Sequence, residues 1–397
     1  MFRDARNTLF PRPFVVLRKL ELRHFRNLGI QELHFPPEGV AVVGDNAQGK
    51  TNLLEAIYYL ESFRSFRGAG DAELTAFSED VFHIRGSVDG SEPATVAAGF
   101  DRKTRSKRVT VDGNDAARIS AALGRLGAVV FSPSDAGMVS GGPGVRRRFL
   151  DIVLSLNRRR YLETLQEYRR TLAQRNAALR AASGGPVSRE WVSPWEEGMV
   201  ESGARLIRMR GEWVSTWGPH FTRCYEAISG GDSAALSYRP NPGSDGTPGT
   251  ADDTATAAES TLREHFRVRL NESWQRDSRL GVTSAGPHRD ELLVTVSTGG
   301  GARPARAYGS GGQRRTAALA LRLTEAATIR QQRGEEPILL VDDAFAELDS
   351  GRSSRLATLL AEEGTGQVIL TVPKESDVRL PGRSLPCWHI RAGVIAA

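Results

Sequence analysis

The chain has 397 residues, 40% of them hydrophobic, which is enough for a large core or for two lobes. No run approaches the ~20 apolar residues that span a bilayer, and the N-terminus has no apolar region followed by a small-residue cleavage site, so we predict neither a membrane span nor a signal peptide. The two cysteines, Cys224 and Cys387, lack metal-ligand or disulfide spacing, which favours a reduced cytoplasm. The net charge of +6 favours a polyanionic partner without proving one.

The first third of the chain predicts short strands and one helix. Residues 15–23 alternate apolar and polar side chains, as a half-buried strand does. The stretch "GVAVVGDN" predicts an apolar strand that enters a glycine loop, and "TNLLEAIYYLESF" predicts the helix that follows. Further strands are predicted at "VFHIRGSVDG", "ATVAAGF", "RVTVDG" and "GAVVFSPSD".

The middle of the chain is predicted to be helical and rich in arginine. "RRRFLDIVLSLNRRRYLETLQEYRRTLAQRNAALRAA", which starts at Arg146, is predicted as one long helical stretch. Residues 239–260 are rich in Pro, Gly, Asp and Thr and predict a mobile loop. Strands return at "DELLVTV" and from "PILLVDDAF" to "HIRAG". The pattern predicts an α/β lobe built from both chain ends, with a helical insertion between them.

A phosphate-binding loop is predicted at "GDNAQGKT", which matches G-x-x-x-x-G-K-[ST] between a strand and a helix. Glycines let backbone N–H groups curl around a phosphate, and the helix N-terminus adds partial positive charge. Lys50 would reach the β- and γ-phosphates of ATP and take part in catalysis, and the Thr51 hydroxyl would coordinate Mg²⁺. The predicted nucleotide contacts here are Gly44, Asp45, Asn46, Ala47, Gln48, Gly49, Lys50 and Thr51.

The stretch "PILLVDDAF" predicts the acidic half of the same site. Four apolar residues form a buried strand that ends at Asp342, whose carboxylate can hold Mg²⁺ through water. Asp343 is then placed to orient or deprotonate an attacking water, which makes it a predicted catalytic residue.

A second phosphate-binding device is predicted at "SGGQ", 29 residues before Asp342 (342 − 313 = 29). Followed by the buried strand and "AELD", it has the order of ABC-type ATPases. This segment could cover the γ-phosphate of a nucleotide bound to a second molecule, from the side opposite the P-loop. Its predicted contacts are Ser310, Gly311, Gly312 and Gln313, and Ser310 is also a predicted catalytic residue. We therefore predict a head-to-tail homodimer that holds two ATP molecules and weakens when the γ-phosphate is gone.

Several longer stretches are more specific than these motifs. In chain order they are "LRHFRNL", "LEAIYYLESFRSFR", "FSPSD", "VSGGPGVRRRFLD", "LAQRNAAL" and "TSAGPHRDEL". With them the chain resembles the RecF family of bacterial recombination mediators, structural relatives of SMC-type and ABC ATPase heads. The resemblance runs nearly end to end, but it does not cover the first 13 residues, and the 240–260 loop looks variable.

The resemblance implies an α/β fold, an ABC/SMC-type ATPase head with a mixed sheet and a mainly helical second lobe. Lobe I would be 14–131 with 335–397, and lobe II, carrying the signature motif, would be 132–334; 1–13 would be an N-terminal extension and 240–260 a mobile loop. The function implied is a cytoplasmic, nucleoid-associated and ATP-dependent dimer that binds double-stranded DNA and single-strand/double-strand junctions. It would act with RecR and RecO, and indirectly with RecA.

The resemblance also carries over residue roles. Gly44, Asn46, Gly49, Lys50 and Thr51 match the family's Walker A motif; Ser310, Gly312 and Gln313 match its signature, Asp342 and Asp343 its Walker B motif, and Asp349 its D-loop. Asp343 departs from the glutamate of the wider ABC pattern, and Thr371 stands where transporters usually place a histidine. Both departures imply slow hydrolysis, and the enzyme we expect from the resemblance is a weak, DNA-stimulated ATPase. The Q-loop position is not obvious and could lie at Ser132 or Asp135.

Basic clusters are the candidate DNA contacts. Because no helix-turn-helix or aromatic platform stands out, we expect sequence-independent contacts with phosphates. The predicted DNA contacts are Arg64, Arg67, Arg102, Lys103, Arg105, Lys107, Arg146, Arg147 and Arg148.

Other functions stay open at this point. A P-loop kinase would explain residues 44–51 and Asp342 but would leave "SGGQ" and "AELD" without a role. An ABC-type subunit of another complex would normally carry its signature roughly a hundred residues after the P-loop, far closer than here. A cohesin-like head would need coiled-coil arms, and the sequence shows no sustained heptad pattern.

Overall fold

The computed structural model describes residues 14–181, 188–241, 255–298, 301–343, 348–363, 366–378 and 380–396. The predicted extension 1–13 and residues 242–254 of the predicted mobile loop lie outside them. The described chain divides into two compact units. The first unit is formed within Met1–Ser134 and Glu325–Ala397, and the second unit is Asp135–Thr324.

The elements follow one another along the chain with few long connections. The strands are β1 (Val16–Arg23), β2 (Gln31–His34), β3 (Gly39–Val43), β4 (Val81–Asp89), β5 (Ala94–Asp101), β6 (Ser106–Val111), β7 (Asn114–Asp115), β8 (Ala128–Phe131), β9 (Ala234–Arg239), β10 (Glu291–Thr298), β11 (Gly301–Pro304), β12 (Ile338–Asp342), β13 (Val368–Val372), β14 (Cys387–Arg391) and β15 (Val394–Ala396). The helices are α1 (Lys50–Ser62), α2 (Asp71–Leu74), α3 (Ile119–Ala122), α4 (Ala136–Ser140), α5 (Pro143–Asn157), α6 (Arg159–Ala181), α7 (Arg189–Ser229), α8 (Glu259–Leu280), α9 (Ala305–Tyr308), α10 (Gly311–Arg333) and α11 (Ser350–Glu363).

The first unit contains a mixed six-stranded sheet with the strand order β15-β14-β3-β13-β12-β8. Every neighbouring pair from β14 to β8 is parallel, and only β15 is antiparallel. Strands β3, β8, β12 and β13 are buried along their whole length. A parallel strand covered on both faces has no solvent side, and this explains why these segments read as unbroken apolar runs in the sequence.

The second sheet of the first unit is antiparallel, in the order β2-β1-β4-β5-β6-β7. Strand β4 alternates buried and accessible residues, so one face of this sheet packs on the core and the other meets solvent. Helix α1 joins the two sheets, because its Leu53 and Ile57 share one hydrophobic cluster with Phe82 of β4 and Leu340 of β12. Each such side chain contributes roughly 1.5–3 kcal/mol by burial, so the helix after the P-loop is fixed by the core.

The second unit combines helices α5 to α8 with a small antiparallel sheet, β11-β10-β9. The long helix predicted from Arg146 is wrong in one respect, because the chain breaks between α5 and α6 at Arg158. Arg158 has an extended conformation, with φ −136° and ψ 100°, and its N–H caps α5 at the carbonyl of Leu154. Helix α10 crosses the division between the units at Thr324, whereas the predicted lobe boundary lies at residue 334.

Polar groups buried in the second unit fix the segment "TSAGPHRDEL". Arg210 is 2% exposed and donates to the Asp290 carboxylate at 2.7 Å and to Asp151 at 2.9 Å. A second buried pair joins Arg175 to Asp277 at 2.9 Å. Removing one partner of such a pair leaves an uncompensated buried charge, which costs about 3–5 kcal/mol. The first pair therefore holds the lead-in to β10 against α7, and the second holds α8 against α6.

Hydropathy separates the helices of this chain from membrane spans. In the described part of the chain, no helix combines the length and the apolar character needed to cross a bilayer.

His288 lies in the segment "TSAGPHRDEL" and is held as a neutral imidazole. Its Nε2 lies 3.0 Å from the carbonyl oxygen of Thr283, which can only accept, so Nε2 carries the hydrogen. Its Nδ1, 2.6 Å from the Tyr168 hydroxyl, is then an acceptor. Burial lowers the pKa of His288 to about 4. An added proton would bind Nδ1, which could then no longer accept the hydrogen bond from the Tyr168 hydroxyl.

We predict that His288 makes the protein sensitive to mild acid. Its folded pKa is lower than the ~6.5 of an unfolded histidine, so the unfolded chain binds a proton more readily as the pH falls. Between pH 7 and pH 5 the free energy of unfolding should fall by about 2 kcal/mol more in the wild type than in His288→Gln. Urea unfolding at the two pH values measures this difference. The exposed His34, changed to Gln, should keep the wild-type difference; equal pH dependence in His288→Gln and wild type would contradict the assignment.

Candidate nucleotide site

The parallel sheet brings three predicted site segments to one edge. Strands β3, β13 and β12 are neighbours in that order, and their carboxyl ends lie on the same side. Gly44 follows β3, Thr371 lies near the end of β13, and Asp342 ends β12. Ligands of open parallel α/β sheets bind at this edge, so the topology places the P-loop and the acidic segment in one crevice.

The P-loop has the curled backbone that phosphate binding requires. Gly49 has φ 116° and caps α1, and Ala47 is also left-handed at φ 64°. A Cβ at Gly49 would lie 2.8 Å from the Asn27 side-chain oxygen, and one at Gly44 would lie 2.6 Å from the Ile390 carbonyl oxygen. Only glycine therefore fits at either position. The free N–H groups at the start of α1 follow directly, with the partial positive charge of the helix.

Lys50, the first residue of α1, lies over the loop. Its side chain is 5% exposed, and its Nζ donates to the carbonyls of Gly44 at 2.6 Å and Asp45 at 3.2 Å. Both acceptors belong to the loop itself. The ammonium group is thus within the curl of the P-loop, where an anion would meet it.

Two hydroxyl groups converge on one oxygen of Asp342. Thr51 Oγ1 donates to Asp342 Oδ1 at 2.9 Å, and Thr371 Oγ1 donates to the same oxygen at 3.0 Å. Asp342 is 5% exposed, and this burial raises the pKa of its carboxyl group although both hydrogen bonds oppose the rise. Thr51 and Asp342, predicted together from motifs 291 residues apart, are therefore in direct contact.

This pair fits a hard divalent cation. A hydroxyl and a carboxylate are oxygen donors, the type that Mg²⁺ prefers, and Mg²⁺ commonly uses one or two protein ligands together with water and phosphate oxygens. Within the described ranges, no group of three or more His, Cys, Asp or Glu side chains could hold a metal by itself. Any Mg²⁺ at this pair would need oxygens from water and a nucleotide.

Asp343 has a strained backbone and a carboxylate oxygen without a partner. Its φ is 44°, a conformation that costs a non-glycine residue of order 1–3 kcal/mol. Its N–H faces Thr371, 3.2 Å from Oγ1 and 3.3 Å from the carbonyl oxygen. Its Oδ1 is buried, and no hydrogen-bond partner for it is present among the described residues. Burial raises the pKa of this carboxyl group.

The predicted D-loop is only partly described, because 344–347 lie outside the described residues. Asp349 is exposed, and its Oδ1 accepts a hydrogen bond from the N–H of Arg352 at 2.9 Å. This backbone hydrogen bond lowers the pKa of Asp349. Asp349 therefore caps α11 and stays ionised at neutral pH.

The signature motif forms the N-terminus of α10. The N–H of Gln313 donates to Ser310 Oγ at 3.1 Å, and the N–H of Ser310 donates to Gln313 Oε1 at 2.9 Å. This reciprocal capping explains the Ser-x-x-Gln spacing of the motif. Ser310 and Gly311 are exposed, so the N-terminus of this 23-residue helix is accessible to solvent. Such an end is suited to an anion.

Two predicted positions have contacts of their own. Ser132 Oγ lies 3.0 Å from Ser134 Oγ, and Asp135 accepts a charged hydrogen bond from Arg322 at 2.6 Å. The choice between them as the Q-loop position stays a prediction.

Sequence reasoning missed Asn27 and gave no role to the side chain of Gln48. Asn27 Nδ2 donates to the Gln48 carbonyl at 3.0 Å. The Gln48 side chain accepts from the N–H of Ala392 at 2.6 Å, so it is directed away from the loop centre. The stretch "LRHFRNL", which contains Asn27, entered only through the family resemblance.

Most residues of the basic clusters are held by the protein. Arg146 is 3% exposed and donates to Glu291 at 2.8 Å and to the Gly141 carbonyl at 2.8 Å. Arg147 donates to the Asp290 carbonyl at 2.6 Å. Arg102 donates to three carbonyl groups, the nearest that of Thr75 at 3.0 Å. Arg146, predicted as a DNA contact, is thus directed into the second unit and presents no charge at its surface.

The other predicted DNA contacts differ in exposure and in whether another residue pairs with their charge. Lys107 is paired with Asp71 at 2.7 Å, and Lys103, which is exposed, is paired with Asp80 at 2.6 Å. Arg67 is exposed and donates to Asn52 at 3.2 Å. The remaining three are exposed, and no described residue pairs with their guanidinium groups: Arg64, Arg105 and Arg148.

Comparison with known proteins places this chain in a family. Residues 16–380 match the family model of the RecF/RecN/SMC N-terminal domain. The DNA replication and repair protein RecF of Moorella thermoacetica is 33% identical over 378 residues, which cover 95% of each chain. RecF of Synechococcus sp. (strain JA-2-3B'a(2-13)) is 37% identical, over 87% of this chain and 88% of the relative.

Solved structures give the same result. A solved structure described as the recombination mediator protein RecF-ATP in RecFOR pathway superposes on this chain with a TM-score of 0.85 and 30% identity. The match covers 96% of this chain and 99% of that chain. An Smc head domain from Pyrococcus furiosus superposes with a TM-score of 0.54 over 97% and 95% of the two chains; at 17% identity it shows the fold alone. The predicted ABC/SMC-type head is therefore confirmed, and neither the kinase nor the ABC subunit of another complex needs to be retained. The chain belongs to the RecF family of DNA replication and repair proteins, which are ATPases of the ABC/SMC type.

Proposed function

We propose that this chain binds ATP with Mg²⁺, dimerises head to tail on ATP, and holds double-stranded DNA during recombinational repair until slow hydrolysis releases it. The observation that carries the proposal is the contact between Thr51 and Asp342 at the mouth of the P-loop. The hydroxyl of Thr51, in helix α1, and the carboxylate of Asp342, at the end of β12, meet there beside the curled P-loop. The solved relative named as RecF-ATP supports the choice of nucleotide.

Each residue of the site has a defined part in this proposal. The N–H groups of the loop and Lys50 bind the phosphates, and Lys50 exchanges its two loop carbonyls for phosphate oxygens. Thr51 and Asp342 would hold Mg²⁺, which when bound supplies neutralisation of phosphate charge. Asp343, whose buried Oδ1 has no hydrogen-bond partner among the described residues, orients the attacking water and accepts its proton.

Ser310 and the exposed start of α10 would complete the site of a second copy. The N–H groups at this helix end complement the negative γ-phosphate. A phosphate held from two molecules links dimerisation to the presence of ATP, since ADP lacks the group that both would contact. Asp349 would lie at the same interface, as the family resemblance implies.

DNA would contact the exposed basic residues that the protein leaves available. These are Arg64, Arg105 and Arg148, whose guanidinium groups pair with no described residue. Arg67 and Lys103 are also exposed, and they would exchange their partners Glu55 and Asp80 for DNA phosphates. The family's action with RecR and RecO, and indirectly with RecA, is part of the proposal and is supported by the RecFOR pathway named for the solved relative.

We predict that Ser310→Arg abolishes ATP-dependent dimerisation while monomers still bind ATP with an affinity within about twofold of wild type. The larger cationic side chain would occupy the space of the partner's phosphate, whereas the P-loop is unchanged. Light scattering with ADP and with ATP measures the dimer, and titration with a fluorescent ATP analogue measures binding. Ser193→Arg, an exposed serine on α7 of the same unit, is the matched control. Normal ATP-induced dimers of Ser310→Arg would refute the shared site.

We predict that Asp343→Asn traps an ATP-bound dimer, because an amide cannot accept the proton of the attacking water. Loss of a general base typically lowers the rate by about 10²–10⁴-fold. Asn tolerates the left-handed backbone better than most residues, so this variant should fold. Turnover is measured as the rate of phosphate release, and the lifetime of the dimer is measured by light scattering. Lys50→Met, which should lose nucleotide binding itself, separates the two defects; unchanged turnover in Asp343→Asn would remove Asp343 from catalysis.

We predict a DNA affinity that depends strongly on salt and weakly on sequence. Removing one cation that binds a DNA phosphate should reduce the slope of log K against log salt by about 1, so Arg64→Ala/Arg105→Ala should reduce it by about 2. Fluorescence anisotropy with a short duplex at several salt concentrations measures the slope. Arg276→Ala on α8, an exposed arginine outside the clusters, is the control. A slope equal to wild type in the double variant would move the DNA path elsewhere.

A further inference from the structure

The hairpin formed by β14 and β15 is hydrogen-bonded to the P-loop at Gln48. Strands β14 and β15 form a hairpin whose turn contains Ala392 and Gly393, both left-handed, with φ 48° and 81°. The N–H of Ala392 donates to Gln48 Oε1 at 2.6 Å, and the N–H of Gly393 donates to the Gln48 carbonyl at 2.9 Å. Gln48 therefore bonds to the C-terminal hairpin through both its side chain and its carbonyl.

Asn27 fills the space between this turn and the P-loop. Its Nδ2 donates to the Gln48 carbonyl, and its Oδ1 accepts from Asn52 at 2.7 Å. A Cβ at Gly49 would lie 2.8 Å from Asn27 Oδ1, and a Cβ at Gly393 would lie 2.0 Å from the Asn27 carbonyl oxygen. Asn27 remains exposed to solvent and lies against two glycines, one from the P-loop and one from the hairpin, neither of which could carry a side chain there.

The hairpin is itself firmly anchored. Gln31 of β2 donates to the Gly393 carbonyl at 2.8 Å and accepts from the N–H of Ile395 at 3.2 Å. Strand β14 pairs with β3, the strand that enters the P-loop, and Ile390 closes the space over Gly44. Both ends of the P-loop therefore lie against the hairpin or against Asn27.

We infer that Asn27 and the hairpin turn are positioning elements of the nucleotide site, which hold the P-loop in its phosphate-binding curl before nucleotide arrives. This inference rests on the proposed ATP binding. The curl aims several N–H dipoles at one point and uses left-handed residues, so the loop on its own favours other conformations. A rigid outer support removes the ordering cost from binding. The polar groups that provide it bond to Gln48 and Asn52, which makes Asn27 a positioning residue and not a catalytic one.

The test uses the full-length chain and fluorescent analogues of ATP and ADP. Asn27→Ala removes the hydrogen bond to the P-loop at Gln48 and the one from Asn52. It should raise the Kd of both nucleotides by about three- to tenfold, because both nucleotides contain the phosphates that the loop holds. The kcat at saturating ATP should stay within about twofold, since support of the loop acts on bound substrate and transition state alike. Asn27→Asp, which cannot donate to Gln48 and adds charge near the phosphates, should weaken both nucleotides further.

Controls separate positioning from general stability. Asn114→Ala, an exposed asparagine on the edge strand β7, should bind both nucleotides as wild type does. Where Asn27→Ala fails to fold, Gln48→Ala removes only the bond to Ala392 and should raise both Kd values by about twofold or more. Wild-type affinity in either folded variant, or a fall in kcat at unchanged Kd, would overturn the inference. A wild-type chain that binds neither nucleotide would overturn the proposed function as well.

Discussion

The carboxylate of Asp342 accepts hydrogen bonds from two threonines that the chain order keeps far apart. Thr51 comes 291 residues earlier, and Thr371 lies on the strand between β3 and β12. This contact requires that three parallel strands end at one edge, which in turn requires that both ends of the chain build one sheet. The helical unit is inserted between those ends. The site thus depends on a sheet assembled from distant segments. Asp342 and Thr371 lie at the ends of short, fully buried strands, and Thr51 lies in the first turn of the helix that follows β3.

The strained acid beside this carboxylate follows from the same arrangement. Thr371 bonds to the N–H of Asp343 while its hydroxyl donates to Asp342, so a single side chain holds both acids. The fixed N–H keeps Asp343 at φ 44°, a conformation it would otherwise leave. In the wider ABC pattern a histidine stands at the threonine position. A hydroxyl can fix the backbone but cannot carry a positive charge near the γ-phosphate, and this is a physical reason to expect slow hydrolysis.

The parts of this protein that could be predicted from the sequence are those with local signals. Gly44 to Thr51 form a contiguous motif between a strand and a helix, and Ser310 and Gln313 cap their helix with a spacing that is readable from four residues. The wholly buried strands are also readable, because they need apolar residues on both faces. The family resemblance added the order of these pieces, and the comparisons confirmed it.

What could not be predicted depends on which distant atoms meet. Arg146 looks like its neighbour Arg148 in the sequence, yet one is buried on Glu291 and the other is exposed, because they lie on opposite faces of α5. The break at Arg158 leaves no Gly or Pro as a signal. Gln48 lies inside a motif whose residues are expected to face the nucleotide, but its acceptors are used by a hairpin 344 residues later.

The two glycines around Asn27 show why a motif is an incomplete description of a site. Gly49 is usually explained by the phosphate that must approach its backbone, yet here the nearest obstacle to a side chain is Asn27. The same position therefore meets two constraints, one from the ligand and one from the protein on the other side of the loop. A loop that must be open on one face and supported on the other needs a partner for its outer carbonyls. In this chain that partner is the hairpin of β14 and β15, so a strand pair more than 330 residues from the P-loop in sequence is part of the architecture of the nucleotide site.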